Sequence, residues 1–320
     1  MHHEAIRIAG PVTTMSGVVD QLYWFLVFLT VLTSGLIIFL MLFFAVKYRR
    51  RPGHEVSHVV IEKTGLIEAI WIGVPLIVFL VIFFWGAKIY FQQMQVPAGA
   101  LPIYCVAKQW MWKFQHPEGK REINELHIPI GVPIQVTLIS QDVIHSFFVP
   151  AFRTKMDVLP NRYTNLWFQV NQPGEYKIFC SEYCGLWHSL MQGKVIAMTL
   201  DEYESWVDRG KKEPMALKGE QLIAKYGCWQ CHQRGSTIAS PIFDGLYGGK
   251  VHLSDGRTIV ADETYIRESI VDPGRRLVAG YANVMPTFKD QISEEEILQL
   301  IAFIKSLGVS PGPASSEKTP

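Results

Sequence analysis

The sequence predicts a multidomain membrane protein in which a two-helix transmembrane hairpin is followed by an all-β domain and then an all-α domain. Three features of its 320 residues carry that reading. Two long apolar segments lie within residues 1–97. Short alternating apolar runs, cut by Gly and Pro, fill residues 98–205. Beyond a charged linker at 206–216, helix-like patterns with capping signals occupy residues 217–308. Hydrophobic residues make up 49% of the chain, and the excess is concentrated near the start, which points to membrane spans rather than an unusually apolar core. A formal net charge of +1 gives no reason to expect a nucleic-acid partner.

The spans are expected at about 22–46 and 67–90. The first carries no charge, and residues 67–87 of the second are broken only by Glu68. Each exceeds the roughly 20 residues a helix needs to cross the hydrocarbon core. Pro75 is tolerable in such a helix. Lys47, Arg49, Arg50, Arg51 and Lys63 lie between the spans, against Arg7 alone before them, so the loop is cytoplasmic and everything after residue 90 faces the periplasm of a bacterial inner membrane. Tyr23, Trp24, Trp85 and Tyr90 fall where an aromatic belt belongs. Residues 1–17 show no pattern of a cleaved secretory signal. Glu68 reads in two ways: a carboxylate favoured by the start of a helix and within reach of water, or the mark of an ion or proton path.

In the β domain, Ile134-Gln135-Val136-Thr137-Leu138-Ile139 and Tyr176-Lys177-Ile178-Phe179 alternate as strands of a sandwich or barrel. His145 follows such a run and reads as its strand end. The chemistry is densest in Cys180-Ser181-Glu182-Tyr183-Cys184-Gly185-Leu186-Trp187-His188-Ser189-Leu190-Met191. One Cys with His and a weak Met ligand is a blue-copper recipe, and a second thiolate four residues on can bridge two copper ions. Zinc or a plain disulfide are the other readings; neither needs Met191, and a second histidine is available in His145. Cys105 reads as a buried, inert thiol. Trp110 and Trp112, in Lys108-Gln109-Trp110-Met111-Trp112-Lys113-Phe114, read as one packed strand face, and Asp157 as the acid of a loop ion pair. Residues 201–215 show charge without an apolar face, the end of a helix and a linker.

The α domain opens on Gly227-Cys228-Trp229-Gln230-Cys231-His232. Cys-x-x-Cys-His is the attachment signature of c-type haem, with Cys228 and Cys231 as thioether donors and His232 beneath the iron. Met285 is the candidate sixth ligand, since a His/Met pair is the ligation of electron-carrying cytochromes c. The rest of this region reads as helical. Asp262-Glu263 opens one helix and Ser293-Glu294-Glu295-Glu296 a last one, as a capping box. Residues 309–320 read as a disordered tail.

The cysteine loop, with Val143-Ile144-His145-Ser146-Phe147 and Pro150, resembles the dinuclear copper A centre of subunit II of haem-copper cytochrome oxidases. The resemblance implies a cupredoxin-like fold and copper ligands His145, Cys180, Cys184, His188 and Met191, with the carbonyl of Glu182 completing the set. It further implies a magnesium ion on the Glu182 side chain, shared with subunit I, and Asp157 nearby, in a Lys155-Met156-Asp157 stretch with Pro160 and Arg162. Trp110 matches the electron-entry tryptophan of a Gln-Trp-x-Trp stretch. Glu68-Ala69-Ile70-Trp71 resembles a motif whose glutamate stands at the mouth of a proton channel. The last domain resembles cytochrome c, its first and last helices packed together.

The expected function is therefore that of an electron-transfer subunit II with a fused cytochrome c. An external donor, such as a cytochrome c or a quinol:acceptor complex, reduces the haem, the haem the copper, and the copper subunit I, where oxygen becomes water with proton pumping. Subunits I and III are the expected partners. A copper-A subunit of a nitric oxide reductase and a free-standing membrane electron carrier are the alternatives; a quinol oxidase subunit would lack the copper ligands.

Overall fold

The computed structural model describes residues 10–49, 64–209, 214–234, 236 and 240–308. Arg7, Arg50, Arg51, Lys63, residues 210–213 of the expected linker and the tail at 309–320 lie outside the described residues. The chain divides into two units, Met1–Val96 and Pro97–Pro320.

The first unit holds α1 (Thr14–Lys47) and α2 (Gly65–Met94), both longer than the expected spans. α1 starts early because Thr13 caps it: the Ser16 amide donates to Thr13 Oγ1 at 3.0 Å, and the Thr13 amide to Ser16 Oγ at 3.0 Å. Within the apolar stretch, the Thr30 and Thr33 hydroxyls donate back to the carbonyls of Leu26 and Leu29, each at 2.8 Å, so they need no partner from outside the helix. α2 runs through Pro75 and carries Glu68 in its first turn. Both helices are long and apolar enough to cross a membrane, and Phe25 meets Trp85 between them at 5.6 Å.

In the second unit ten strands form two five-stranded sheets. The strands in chain order are β1 (Leu101–Lys108), β2 (Met111–Gln115), β3 (Arg121–Ile123), β4 (Glu125–Pro129), β5 (Pro133–Ser140), β6 (His145–Val149), β7 (Thr154–Val158), β8 (Thr164–Gln169), β9 (Gly174–Cys180) and β10 (Gln192–Met198). One sheet runs β3-β2-β1-β5-β8 and the other β4-β10-β9-β6-β7. β1 pairs parallel with β5 and β4 with β10, and the other pairs are antiparallel. This is a cupredoxin-like sandwich. Ile134, Val136 and Leu138 alternate inward along β5 and are fully buried, as their period-2 spacing requires. Cys105 is fully buried opposite Leu138, and burial pushes its thiol well above the ordinary range.

Three expectations change. His145 does not end the strand before it. β5 stops at Ser140, and a turn held by the Ser140 hydroxyl on the Val143 carbonyl lets His145 open β6. Residues 201–215 do carry an apolar face: α3 (Leu200–Asp208), capped by Thr199 and Glu202, buries Tyr203 and Val207. The third change lies in the last domain, which is not helical throughout. Between α4 (Met215–Lys225), α5 (Trp229–His232), α6 (Glu263–Val271) and α7 (Glu294–Ser306) stands a hairpin of β11 (Lys250–His252) and β12 (Thr258–Val260), turned at Asp255-Gly256.

α4 and α7 cross at Gly219, where a Cβ would stand 2.0 Å from the Gln299 carbonyl oxygen. The first and last helices of this domain are thereby in backbone contact. The domain is seated on the first sheet: Ile297, Leu298 and Ile301 of α7 share one buried cluster with Tyr104, Val106 and Ile139. Arg267, 4% exposed, donates to Asn161 Oδ1 at 3.2 Å and pairs with Glu294.

Candidate metal centres

The loop after β9 returns on itself so that its sulfurs face one another. Cys180 Sγ and Cys184 Sγ lie 3.7 Å apart, and both cysteines are free. His145, fully buried, comes from the neighbouring strand and puts Nδ1 3.9 Å from Cys180 Sγ. His188 Nδ1 lies 3.5 Å from Cys184 Sγ, Met191 Sδ 3.8 Å from the same sulfur, and the Glu182 carbonyl oxygen 3.2 Å from Cys180 Sγ. All six expected donors thus gather around one sulfur pair. Two soft thiolates with two imidazoles and a thioether suit copper, and zinc has no use for the thioether.

Electrostatics separates the two thiols. Burial raises Cys180, but hydrogen bonds from His145, Ser146 and Glu182's neighbourhood outweigh it and bring it down to about 6. Burial and the adjoining Cys180 charge push Cys184 up to about 12. Two thiolates this close repel each other, so a cation between them is what favours ionising both.

The surrounding shell fixes the ligands. His145 donates Nε2–H to Asp142 Oδ1 at 2.8 Å, which leaves Nδ1 for the sulfurs. Asp142 also accepts from the amides of Gln109 and Val143, both at 2.7 Å; burial would raise its pKa, but these bonds hold it below the usual carboxylate value. Gln109 Nε2 donates to the Cys184 carbonyl at 2.7 Å. Gly185, at φ +112°, lets that loop approach, since a Cβ there would meet Gln109 Nε2 at 2.9 Å. Trp112 is fully buried against His145, with ring centroids 6.2 Å apart. Trp110 is not on that face. It sits in the turn between β1 and β2, half-buried against Trp187 at 4.9 Å.

Ser146 joins the loop to β7: its carbonyl accepts from the Ser181 amide at 3.0 Å, and its hydroxyl donates to Asp157 Oδ1 at 2.8 Å. Asp157 also pairs with Lys155 at 3.2 Å, the ion pair expected of it. Glu68 belongs to the other unit. A second cluster, Glu122, Glu125 and His127, has metal-ligand composition, but Glu122 already accepts from His116 Nε2 at 2.8 Å and from the His127 amide at 3.0 Å. Its geometry is that of a half-buried structural brace between Glu122 and the two histidines.

In the α domain, Cys228, Cys231, His232 and Met285 all line one cavity of ≈ 1430 Å³, its open mouth included. His232 donates Nδ1–H to the Pro241 carbonyl at 2.7 Å and stacks on Phe243 at 4.6 Å, so Nε2 remains the free ligand atom. Burial holds this imidazole below its ordinary pKa, against the pull of the Pro241 bond. The apolar walls include Ile223, Leu300 and Ile304. Two cysteines and a neutral histidine at the wall of an apolar cavity fit a covalently held haem. Met215, by contrast, is buried at the start of α4, away from that lining.

A family model described as "Cytochrome C oxidase subunit II, periplasmic domain" matches residues 120–198. The cytochrome c oxidase subunit 2 of Alkalihalophilus pseudofirmus is 32% identical over 280 residues, which cover 82% of this chain and 79% of the relative. The chain belongs to the cytochrome c oxidase subunit II family. It is accordingly a subunit of an oxidoreductase complex, with two membrane-spanning helices and a periplasmic β domain in the bacterial inner membrane. The cytochrome c oxidase subunit 2 of Thermostichus vulcanus is 27% identical over 265 residues, 64% of this chain and 79% of the relative. Among solved structures, the periplasmic domain of subunit II from Bradyrhizobium japonicum aligns with 30% identity over 37% of this chain and 97% of that one, at a TM-score of 0.36.

Asp142 and Gln109 are the functional residues that sequence reasoning passed over. Asp142 had a local signal, a carboxylate three residues before a candidate histidine ligand. Gln109 had none, because its partner is the Cys184 carbonyl, 75 residues away.

Proposed function

We propose that this subunit II relays electrons from an external donor, a cytochrome c or a quinol:acceptor complex, through its own haem c and a dinuclear copper A centre to subunit I, where oxygen is reduced to water as protons are pumped. The observation that carries this is the convergence of four further donor atoms, from His145, His188, Met191 and the Glu182 carbonyl, on two sulfurs 3.7 Å apart. When bound, the copper pair and the haem each supply a one-electron store.

His145, Cys180, Cys184, His188 and Met191 would hold the copper, with the Glu182 carbonyl. The chain's part is to keep these ligands still. Met191 is fully buried, and Asp142 and Gln109 lock His145 and the Cys184 backbone, so little can shift when charge changes. Cys228 and Cys231 would form the thioethers, and His232 and Met285 would ligate the iron. That the A. pseudofirmus relative aligns with 82% of the chain, more than hairpin and sandwich together, supports an α domain with a role in the same family.

Tyr183, Leu186 and Leu190, within the ligand loop, are 76%, 82% and 70% exposed. An apolar rim on a metal centre supports a docked partner, subunit I, over a free-standing carrier. In the assembled enzyme, with subunit III, Glu182 and the nearby Asp157 would meet a magnesium ion at that boundary, and Glu68 would stand at a proton-channel mouth.

A metal count with optical and paramagnetic spectra of the purified chain tests the reading. Two coppers sharing one unpaired electron and one low-spin haem are expected. Zinc in the cysteine loop, or a chain without covalent haem, refutes it.

A further inference from the structure

The first turn of α7 is hydrogen-bonded on one side to a residue of the haem cavity and on the other to the chain neighbour of Asp142. On one side Glu296, which closes the capping box with Ser293, accepts from Tyr226 Oη at 3.3 Å. Tyr226 lines the cavity that contains Cys228, Cys231 and His232. On the other side Glu295 accepts from Gln141 Nε2 at 3.2 Å and from Lys113 Nζ at 2.8 Å, and Lys113 also donates to Gln141 Oε1 at 3.1 Å. Asp142 follows Gln141 in the chain and takes the Nε2–H of His145 at 2.8 Å. From the cavity wall to a sulfur-facing imidazole, the connection is made of covalent bonds and three hydrogen bonds.

Electronic coupling falls far more steeply across gaps than along bonds, so bonded links favour this route over one of the same length through packed but unbonded groups. Its ends are held in register by the buried cluster between α7 and the first sheet. Glu295 and Lys113 are themselves only 19% and 27% exposed. Trp110 itself packs on Trp187, in the cysteine loop.

We propose that electrons from the chain's own haem enter the copper centre through Tyr226, Glu296, Glu295, Gln141, Asp142 and His145 rather than through Trp110. This rests on the functional reading above. The step moves one electron: a ferrous haem iron becomes ferric, the oxidised copper pair is reduced by one, and no bond breaks and no proton moves. Glu295 and Gln141 are positioning residues, since they touch neither metal.

The test uses the full chain with both metals bound, a light pulse to reduce the haem, and its reoxidation followed optically in Glu295→Ala and Gln141→Leu. Reoxidation by copper is expected to slow several-fold in both variants while the haem and copper spectra keep their shapes. Amide exchange at residues 141–145 should quicken in Glu295→Ala, a readout independent of electron flow. Glu295→Gln, which keeps an oxygen to accept from Gln141 Nε2, should retain both rate and protection. Unchanged rates in both single variants, or a rate that falls in Trp110→Phe but not in them, overturns the bridge. Missing haem or copper spectra in the parent chain overturn the functional reading instead.

Discussion

Asp142→Asn should loosen the copper centre without changing any proposed ligand. The two carboxylate oxygens divide their donors: Oδ1 accepts from His145 Nε2 and the Val143 amide, and Oδ2 from the Gln109 amide. An asparagine cannot serve both sides. With its carbonyl at the first position its NH2 confronts the Gln109 amide, and when flipped it confronts His145 and Val143 together. One donor at least loses its acceptor, and the remaining bonds lose their charge assistance, which lowers each from about 1.5–3 to about 0.5–1.5 kcal/mol. A lost carboxylate behind a ligating imidazole typically costs about 10–100-fold in metal affinity, which corresponds to about 1.4–2.8 kcal/mol. Competition against a chelator of known copper affinity measures this directly, with the haem band as internal control. If Asp142→Asn holds copper as tightly as the parent and with the same spectrum, Asp142 does not orient His145 and the reasoning fails.

Met191→Leu should shift the copper spectrum and potential and leave the haem band alone; an unchanged copper spectrum removes Met191 from the ligands. Replacing Cys228 and Cys231 together by Ser should abolish haem staining on a denaturing gel, and retained stain would contradict the thioether assignment. Gly219→Ala forces a Cβ onto the Gln299 carbonyl, so overpacking of about 1–3 kcal/mol should lower the melting temperature of the α domain; an unchanged melt would show that α4 and α7 can part freely. Burial raises Glu122, but His116 and His127 pull it from 4.5 to about 2, a difference of about 3 kcal/mol in stability. Because the folded value is the lower one, that stability is present above pH 4.5 and is lost as pH falls toward 2, so denaturant midpoints should drop across that window in the parent and less in Glu122→Gln.

The grouping of the proposed copper ligands was legible because four of them, with the Glu182 carbonyl, lie in twelve consecutive residues, where spacing alone constrains chemistry. His145 was legible as a residue but not in its place: an apolar alternation says where a strand runs, and the turn that ends it depended on Ser140 and Asp142 side chains binding local backbone. Other misses had signals that went unread. Tyr203, Trp206 and Val207 stand at the three- and four-residue spacing of a helix face, and Asp255-Gly256 between apolar pairs is a hairpin signal. The separate fates of Trp110 and Trp112 had none, since alternation placed both on one strand face and only the β1–β2 turn divides them.

Lys113, Gln141 and Glu295 mark the firmer boundary. Each is an ordinary polar residue in its own segment. A glutamate in the first turn of a helix is already explained by the exposed amides there, and a lysine on an edge-proximal strand by the need to discourage strand pairing. Nothing local asks for a partner, and the partners lie 182 and 154 residues apart in the chain. Their meeting is dictated instead by the apolar stripe of α7, which must be covered, and by the sheet face of Tyr104, Val106 and Ile139, which must cover something. Burial therefore decides where the α domain sits, and the polar contacts follow from the seat it takes. The proposed route for electrons would in this sense be a by-product of hydrophobic docking, refined by three side chains at its edge.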